Sequence, residues 1–156
     1  MAYDAARGRV VLFGGGIVPT SQQGGGWPPT QFHADTWEWN GATWLERTPQ
    51  GGSSPRARHE HAMAYDPIRQ VTYLFGGLDS DGNPLGDLWQ WDGQRWSQLL
   101  TLDAPASRFD CGLAFDTARG RLVLFGGQNA TSFAVDLGSN ALGLIASHGA
   151  RLSVGG

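Results

Sequence analysis

The residues of this 156-residue chain that could do chemistry fall into short clusters. His59, Glu60 and His61 stand in a row, and alternation along a strand would put the two imidazoles on one face, as a two-histidine metal site needs. No third ligand follows locally, so no metal is expected. Asp79, Asp81 and Asn83 imitate the opening of a calcium loop, but Pro84 stands where that loop needs Gly and Gln90 where it needs Glu. Asp81-Gly82 read as a turn is the better account. Trp37, Trp39 and Trp44, matched by Trp89, Trp91 and Trp96, could stack on sugars; because the stripe occurs twice, packing between sheets is the expectation. The one cysteine, Cys111, excludes an internal disulfide and a multi-cysteine zinc site, and reads as a small buried strand residue. No Ser/His/Asp order, nucleophile elbow or phosphate loop occurs, so neither a catalytic residue nor a cofactor is expected.

The elements that must position these residues repeat. MAYDAARGRVVLFGG at 1–15 returns as MAYDPIRQVTYLFGG at 63–77 and as LAFDTARGRLVLFGG at 113–127. Each copy predicts a short strand ending in Asp, a tight turn, and a strand of β-branched and aromatic residues running into a Gly pair. A glycine pair there marks a close backbone approach or a positive φ. A second unit follows two of the copies, DTWEWNGATW at 35–44 and DLWQWDGQRW at 87–96, with Asn40-Gly41 and Asp92-Gly93 as hairpin signals. Tyr3 to Tyr65 is 62 residues whereas Trp37 to Trp89 is 52, which leaves an insertion of ten between Gly15 and Asp35. The underlying period is about fifty residues.

On these residues the chain resembles the kelch repeat. Gly14-Gly15, Gly76-Gly77 and Gly126-Gly127 look like the family's double glycine, Trp39 and Trp91 stand at its aromatic position, and Trp44 and Trp96 at its later Trp. The likeness covers roughly residues 1–136. It implies an all-β fold of four-stranded antiparallel propeller blades, about two and a half of them here, as an incomplete ring. The expected parts are a first blade at 1–62 with the ten-residue insertion, a second at 63–112, half of a third at 113–137 and an irregular, non-kelch tail at 138–156. The resemblance implies no single activity, since kelch propellers include protein-binding adaptors, galactose-oxidase-like enzymes and sugar isomerases. A copper radical oxidase would need a Tyr–Cys pair with further Tyr and His ligands; Tyr3, Tyr65 and Tyr73 all fall in strand positions.

Composition narrows the partners. Gly is 24 of 156 and charged residues are 16%, against about 25% in an average domain, which suits a turn-dense β chain. A formal net charge of −3 gives no basic footprint, so neither nucleic acid nor an anionic membrane surface is expected to bind. No apolar run approaches the ~18 residues of a membrane span. Both ends break the repeat: Met1 aligns with Met63 in mid-strand, and Gly138 replaces a Trp. A start codon called inside a longer gene, an excised piece, or a frameshift at the far end would each account for that, and a gene product without function is a further reading. Ser139 could cap a short helix, and Asn129-Ala130-Thr131 is a glycosylation sequon by pattern alone.

Strand direction then picks a face. In an up-and-down blade the connections from strand two to three, and from strand four to the next blade, leave on one side, and all the length variation gathers there. Binding residues concentrate on such loops. The candidate ligand-binding residues are Trp27 and His33 from the insertion (16–34, read as irregular), Arg58 and His59, Asp79 and Asp81, and Arg108. For Arg58 and Arg108, which align, a structural hydrogen-bonding role is the alternative. The expected function is a binding module with no chemistry of its own, its partner a protein or a carbohydrate; the alternative is a fragment of a galactose-oxidase-like or sugar-isomerase propeller enzyme. Open blade edges are expected to favour self-association.

Overall fold

The computed structural model describes residues 1–17, 31–100 and 105–128, together with the backbone of strands at 133–136 and 143–145. Trp27, Asn129 and Ser139 lie outside the described residues. Among the described residues every regular element is a strand: β1 (Ala2–Asp4), β2 (Arg9–Ile17), β3 (Gln31–Trp39), β4 (Trp44–Glu46), β5 (Ala62–Asp66), β6 (Val71–Phe75), β7 (Leu88–Trp91), β8 (Trp96–Leu99), β9 (Cys111–Asp116), β10 (Arg121–Gly126), β11 (Phe133–Asp136) and β12 (Gly143–Ile145). They pair antiparallel in sequence order, β1 to β4, β5 to β8 and β9 to β12, as three open sheets. Inner strand β5 lies between β1 and β9. Among the described residues no helix is long and apolar enough to cross a membrane.

Each sheet starts with the same turn, and its sequence explains it. The Asp at the end of the inner strand caps the turn: Asp4 Oδ1 accepts from the Arg7 N–H at 3.0 Å, Asp66 Oδ1 from the Arg69 N–H at 3.0 Å, and Asp116 Oδ1 from the Arg119 N–H at 3.2 Å. The other carboxylate oxygen holds the guanidinium of that same arginine. Asp-x-x-Arg is therefore one device used three times. At the outer hairpins Asn40 and Asp92 each accept two backbone N–H groups, closing four-residue loops between Trp39 and Trp44 and between Trp91 and Trp96.

The glycine pairs meet both expectations placed on them. Gly14 and Gly15 have φ of 53° and 110°, and Gly76 and Gly77 have 69° and 101°. A Cβ on Gly14 would stand 2.7 Å from the His33 carbonyl oxygen. The room is taken by β3 and by the lead-in to the next sheet, whose Arg58 carbonyl oxygen lies 2.9 Å from the same point: the Gly15 N–H donates to the Arg58 C=O at 2.9 Å and the Gly77 N–H to the Arg108 C=O at 2.9 Å.

Side chains fill the space between sheets in two layers. Val11 and Phe13 of the first sheet pack on Leu74, Trp89, Trp91 and Trp96 of the second. Ala64, Tyr73, Phe75 and Leu88 of the second pack on Leu122 and Leu124 of the third. The tryptophan stripe of the second sheet is thus packing between sheets, with the Trp91 indole donating to Glu38 Oε1 at 3.1 Å and the Trp96 indole to Thr36 Oγ1 at 2.9 Å. Among the described residues only the middle sheet is covered on both faces. β6 is buried throughout, whereas β2 alternates between buried and half-buried residues before its exposed end.

Two further expectations change. The insertion is not irregular at its ends: β2 and β3 run on past the glycine pair, with Gly15 opposite His33, Gly16 opposite Phe32 and Ile17 opposite Gln31. A bulge between Phe13 and Gly15, with Gly14 in the left-handed region, lets the hairpin continue. The third sheet also extends beyond a half sheet, because β11 pairs with β10 and β12 with β11. The stretch from 138 therefore contains a strand. The aromatic signature reports packing, whereas a ladder needs only backbone N–H and C=O groups.

Candidate functional site

The loop face holds a cavity of about 170 Å³ lined by Phe32, His59, Leu78, Asp79, Ser80, Asp81 and Gly82. Three separate connections meet in it. The lengthened arm of β3 brings Phe32, the lead-in to β5 brings His59, and the segment after β6 brings the rest. His59 and Leu78 are locked together by a reciprocal backbone pair at 3.1 and 2.9 Å. The His59 ring lies 5.1 Å from that of Phe32, tilted by 44°, and forms an aromatic wall.

The two aspartates in the cavity do different work. Asp79 is buried and organises its own loop, Oδ1 accepting from the N–H of Asp81 at 3.0 Å and of Asn83 at 2.9 Å, while Arg56 Nη1 reaches Oδ2 at 3.3 Å. Burial alone would raise its pKa, but these hydrogen bonds and the Arg56 charge hold its carboxyl below the usual range. Gly82 at φ 77° completes the turn, as the Asp81-Gly82 reading has it. Asp81 is exposed at the rim and its carboxylate makes no hydrogen bond or ion pair among the described residues.

Of the seven sequence candidates, then, His59, Asp79 and Asp81 converge. His33 is half-buried in β3, where its carbonyl accepts the Arg58 N–H at 3.3 Å. Arg58 and Arg108 are fully buried and point inward, so for them the structural alternative replaces the binding role. Arg58 Nη1 and Nη2 clamp the Asp87 carboxylate at 2.6 and 2.7 Å, Nη1 also donates to the Gly76 C=O, and Nε to the Arg56 C=O. Burial would raise the Asp87 pKa, but the hydrogen bonds from Arg58 and Trp89 keep it below the usual carboxylate range. Arg108 repeats the backbone part, Nε to the Ala106 C=O and Nη1 to the Gly126 C=O.

The two histidines of the proposed metal pair each pack on a different aromatic ring, His59 on Phe32 and His61 on Phe13. The His61 ring meets Phe13 edge-on, centroids 5.9 Å apart. Among the described residues no three His, Cys, Asp or Glu side chains gather as a metal site would require. Cys111 is half-buried; burial pushes its thiol up, with Arg108 opposing.

Sequence reasoning missed Phe32, Leu78 and Ser80, which carry no chemistry until the loops bring them together. It also missed a larger cleft on the opposite face, lined by Arg7, Arg9, Glu38, Arg47, Gly93 and Gln94. Compared with models of known protein families and with curated proteins, the chain matches none.

Proposed function

We propose that this chain contributes blades to a kelch-type β-propeller that binds a protein partner on its loop face, seating one basic side chain between Phe32, His59 and Asp81. The kelch reading is supported by three sheets paired in strand order, inner strands side by side, and glycine pairs that receive the next sheet's lead-in. The binding reading is carried by one observation, the convergence of three connections on a single cavity of about 170 Å³. That volume is below the ~300 Å³ at which small-molecule pockets begin, and suits a single anchoring side chain of a larger partner. Charge selects which one. Aromatic faces and a carboxylate attract a Lys or Arg, whose aliphatic stem can cover Phe32 and Leu78 while its head reaches Asp81.

The test is selection from a library of short displayed peptides on the immobilised chain. Peptides anchored by Lys or Arg are expected, and Asp81→Asn or Phe32→Ala should each weaken them roughly tenfold. Enrichment of neutral glycans over peptides on a parallel array, with Asp81→Asn indifferent, would replace the protein partner by a carbohydrate.

A further inference from the structure

On the face that carries the short turns, a second cleft of about 600 Å³ opens between the first and second sheets. Its floor is Glu38, almost fully buried. Oε1 of Glu38 accepts from Arg7 Nη1 at 2.6 Å and from the Trp91 indole at 3.1 Å, and Oε2 lies 3.6 Å from Arg47 Nε. Arg7 is already committed, since its Nε also holds Asp4 at 2.6 Å. Arg47 spends only Nε, and at long range, on Glu38. The Arg9 side chain makes no ion pair or hydrogen bond among the described residues, and both arginines line the cleft.

The scaffold does not require these groups, because the second unit folds without them. Arg7 has its counterpart in Arg69, which keeps the Asp-x-x-Arg clamp, but Arg9, Glu38 and Arg47 align with Val71, Gln90 and Leu99. Gly93 fits the same picture: a Cβ there would stand 2.6 Å from Arg7 Nη1, so its absence keeps Arg7 against Glu38 and leaves the mouth open. Three guanidinium groups face two carboxylates, a locally positive surplus in a chain whose formal charge is −3. Guanidinium forks favour planar oxyanions, to which they donate two hydrogen bonds at once.

We propose that this cleft is a second binding site, for a small hydroxylated molecule carrying a carboxylate or a phosphate, with Arg9 and Arg47 receiving the oxyanion. Glu38 holds Arg7 and Arg47 in place, and the Gln94 side chain and the mouth around Gly93 face the ligand's hydroxyl groups. A cleft of this volume is within the ~300–1,000 Å³ typical of small-molecule sites, unlike the cavity on the loop face. The site is independent of the loop-face reading and stands or falls without it.

The experiment is calorimetric titration at low ionic strength with inorganic phosphate, glucose 6-phosphate, glucuronate and neutral glucose. Saturable binding of one equivalent is expected for an anionic sugar and none for glucose; the tighter of the two sugars names the oxyanion. Arg9→Gln and Arg47→Gln should each weaken binding roughly tenfold. Arg119→Gln, which removes an exposed guanidinium from the third sheet's turn, should leave binding unchanged. Arg47 is exposed enough that its variant keeps the fold, which a thermal melt checks. Absence of saturable binding overturns the proposal, as does an equal loss in Arg119→Gln, which would mean attraction to general positive charge; inorganic phosphate alone binding, with neither sugar, would reduce the cleft to an adventitious ion site and overturns it too.

Discussion

At the seam between the first and second sheets His61 ties stability to pH, because its Nδ1 is buried and finds no hydrogen-bond partner among the described residues. Burial first, then the positive charges of the Met1 ammonium and of Arg58, lower its pKa from 6.5 to about 3. A base whose folded-state pKa is depressed stays neutral in the fold while the unfolded chain takes up a proton. Its contribution is therefore complete above about pH 6.5 and is lost as the pH falls toward about 3. The denaturant midpoint is expected to drop already between about pH 6.5 and 4.5, above the range in which carboxylates titrate. His61→Phe, which keeps the ring against Phe13, should flatten that limb. Parallel limbs in wild type and variant would show that His61 titrates in the fold as it does in the open chain.

At the scale of elements, the glycine pair joins one sheet to the next, and two glycines with nearly the same φ separate its two physical requirements. Gly41 at φ 96° has nothing within 4 Å of the place a Cβ would occupy, whereas Gly77 at φ 101° has the His59 carbonyl oxygen at 2.6 Å. Gly41→Ala is expected to cost about 1–2 kcal/mol of backbone strain. Gly77→Ala should cost at least about 2 kcal/mol more, because the His59 carbonyl is held by the Leu78 N–H and cannot retreat without breaking that pair. Equal shifts in the urea midpoints would mean that the lead-in to β5 yields freely. These glycines, the Asp-x-x-Arg turns and the tryptophan stripe were legible in the sequence because each recurs at the repeat spacing and each acts locally. The direction of Arg58 was not, since the carboxylate that draws it inward, Asp87, comes from a different connection. Phe32 and Ser80 acquire a role only when separate loops meet. The arginine cleft left a trace that a comparison of the two units shows, namely charges at Arg9, Glu38 and Arg47 where the second unit has none.

For the whole molecule the repeat sets which surfaces can meet. At each internal seam the β2-type strand of one sheet offers a pair of large apolar side chains, Val11 and Phe13 or Tyr73 and Phe75, to the opposite face of the next sheet. Val123 and Phe125 stand at the same positions of the third sheet and are 37% and 70% exposed. At the other end the first sheet offers the receiving face, with Trp44 42% and Tyr3 59% exposed and Leu12 half-buried among them. The two uncovered faces thus have the complementarity that the two internal seams already realise, and head-to-tail contact between copies reuses it. Such a contact is heterologous, so it closes into a ring or grows into open chains according to the rotation between sheets. Light scattering after size exclusion is expected to show a mass above that of one chain and rising with concentration. Val123→Thr combined with Phe125→Ser should shift the population toward the monomer without disturbing β10, whose buried residues Leu122 and Leu124 lie on the other face. A wild-type chain that stays monomeric across the concentration range would mean that these faces are covered in another way, and the head-to-tail contact would be discarded.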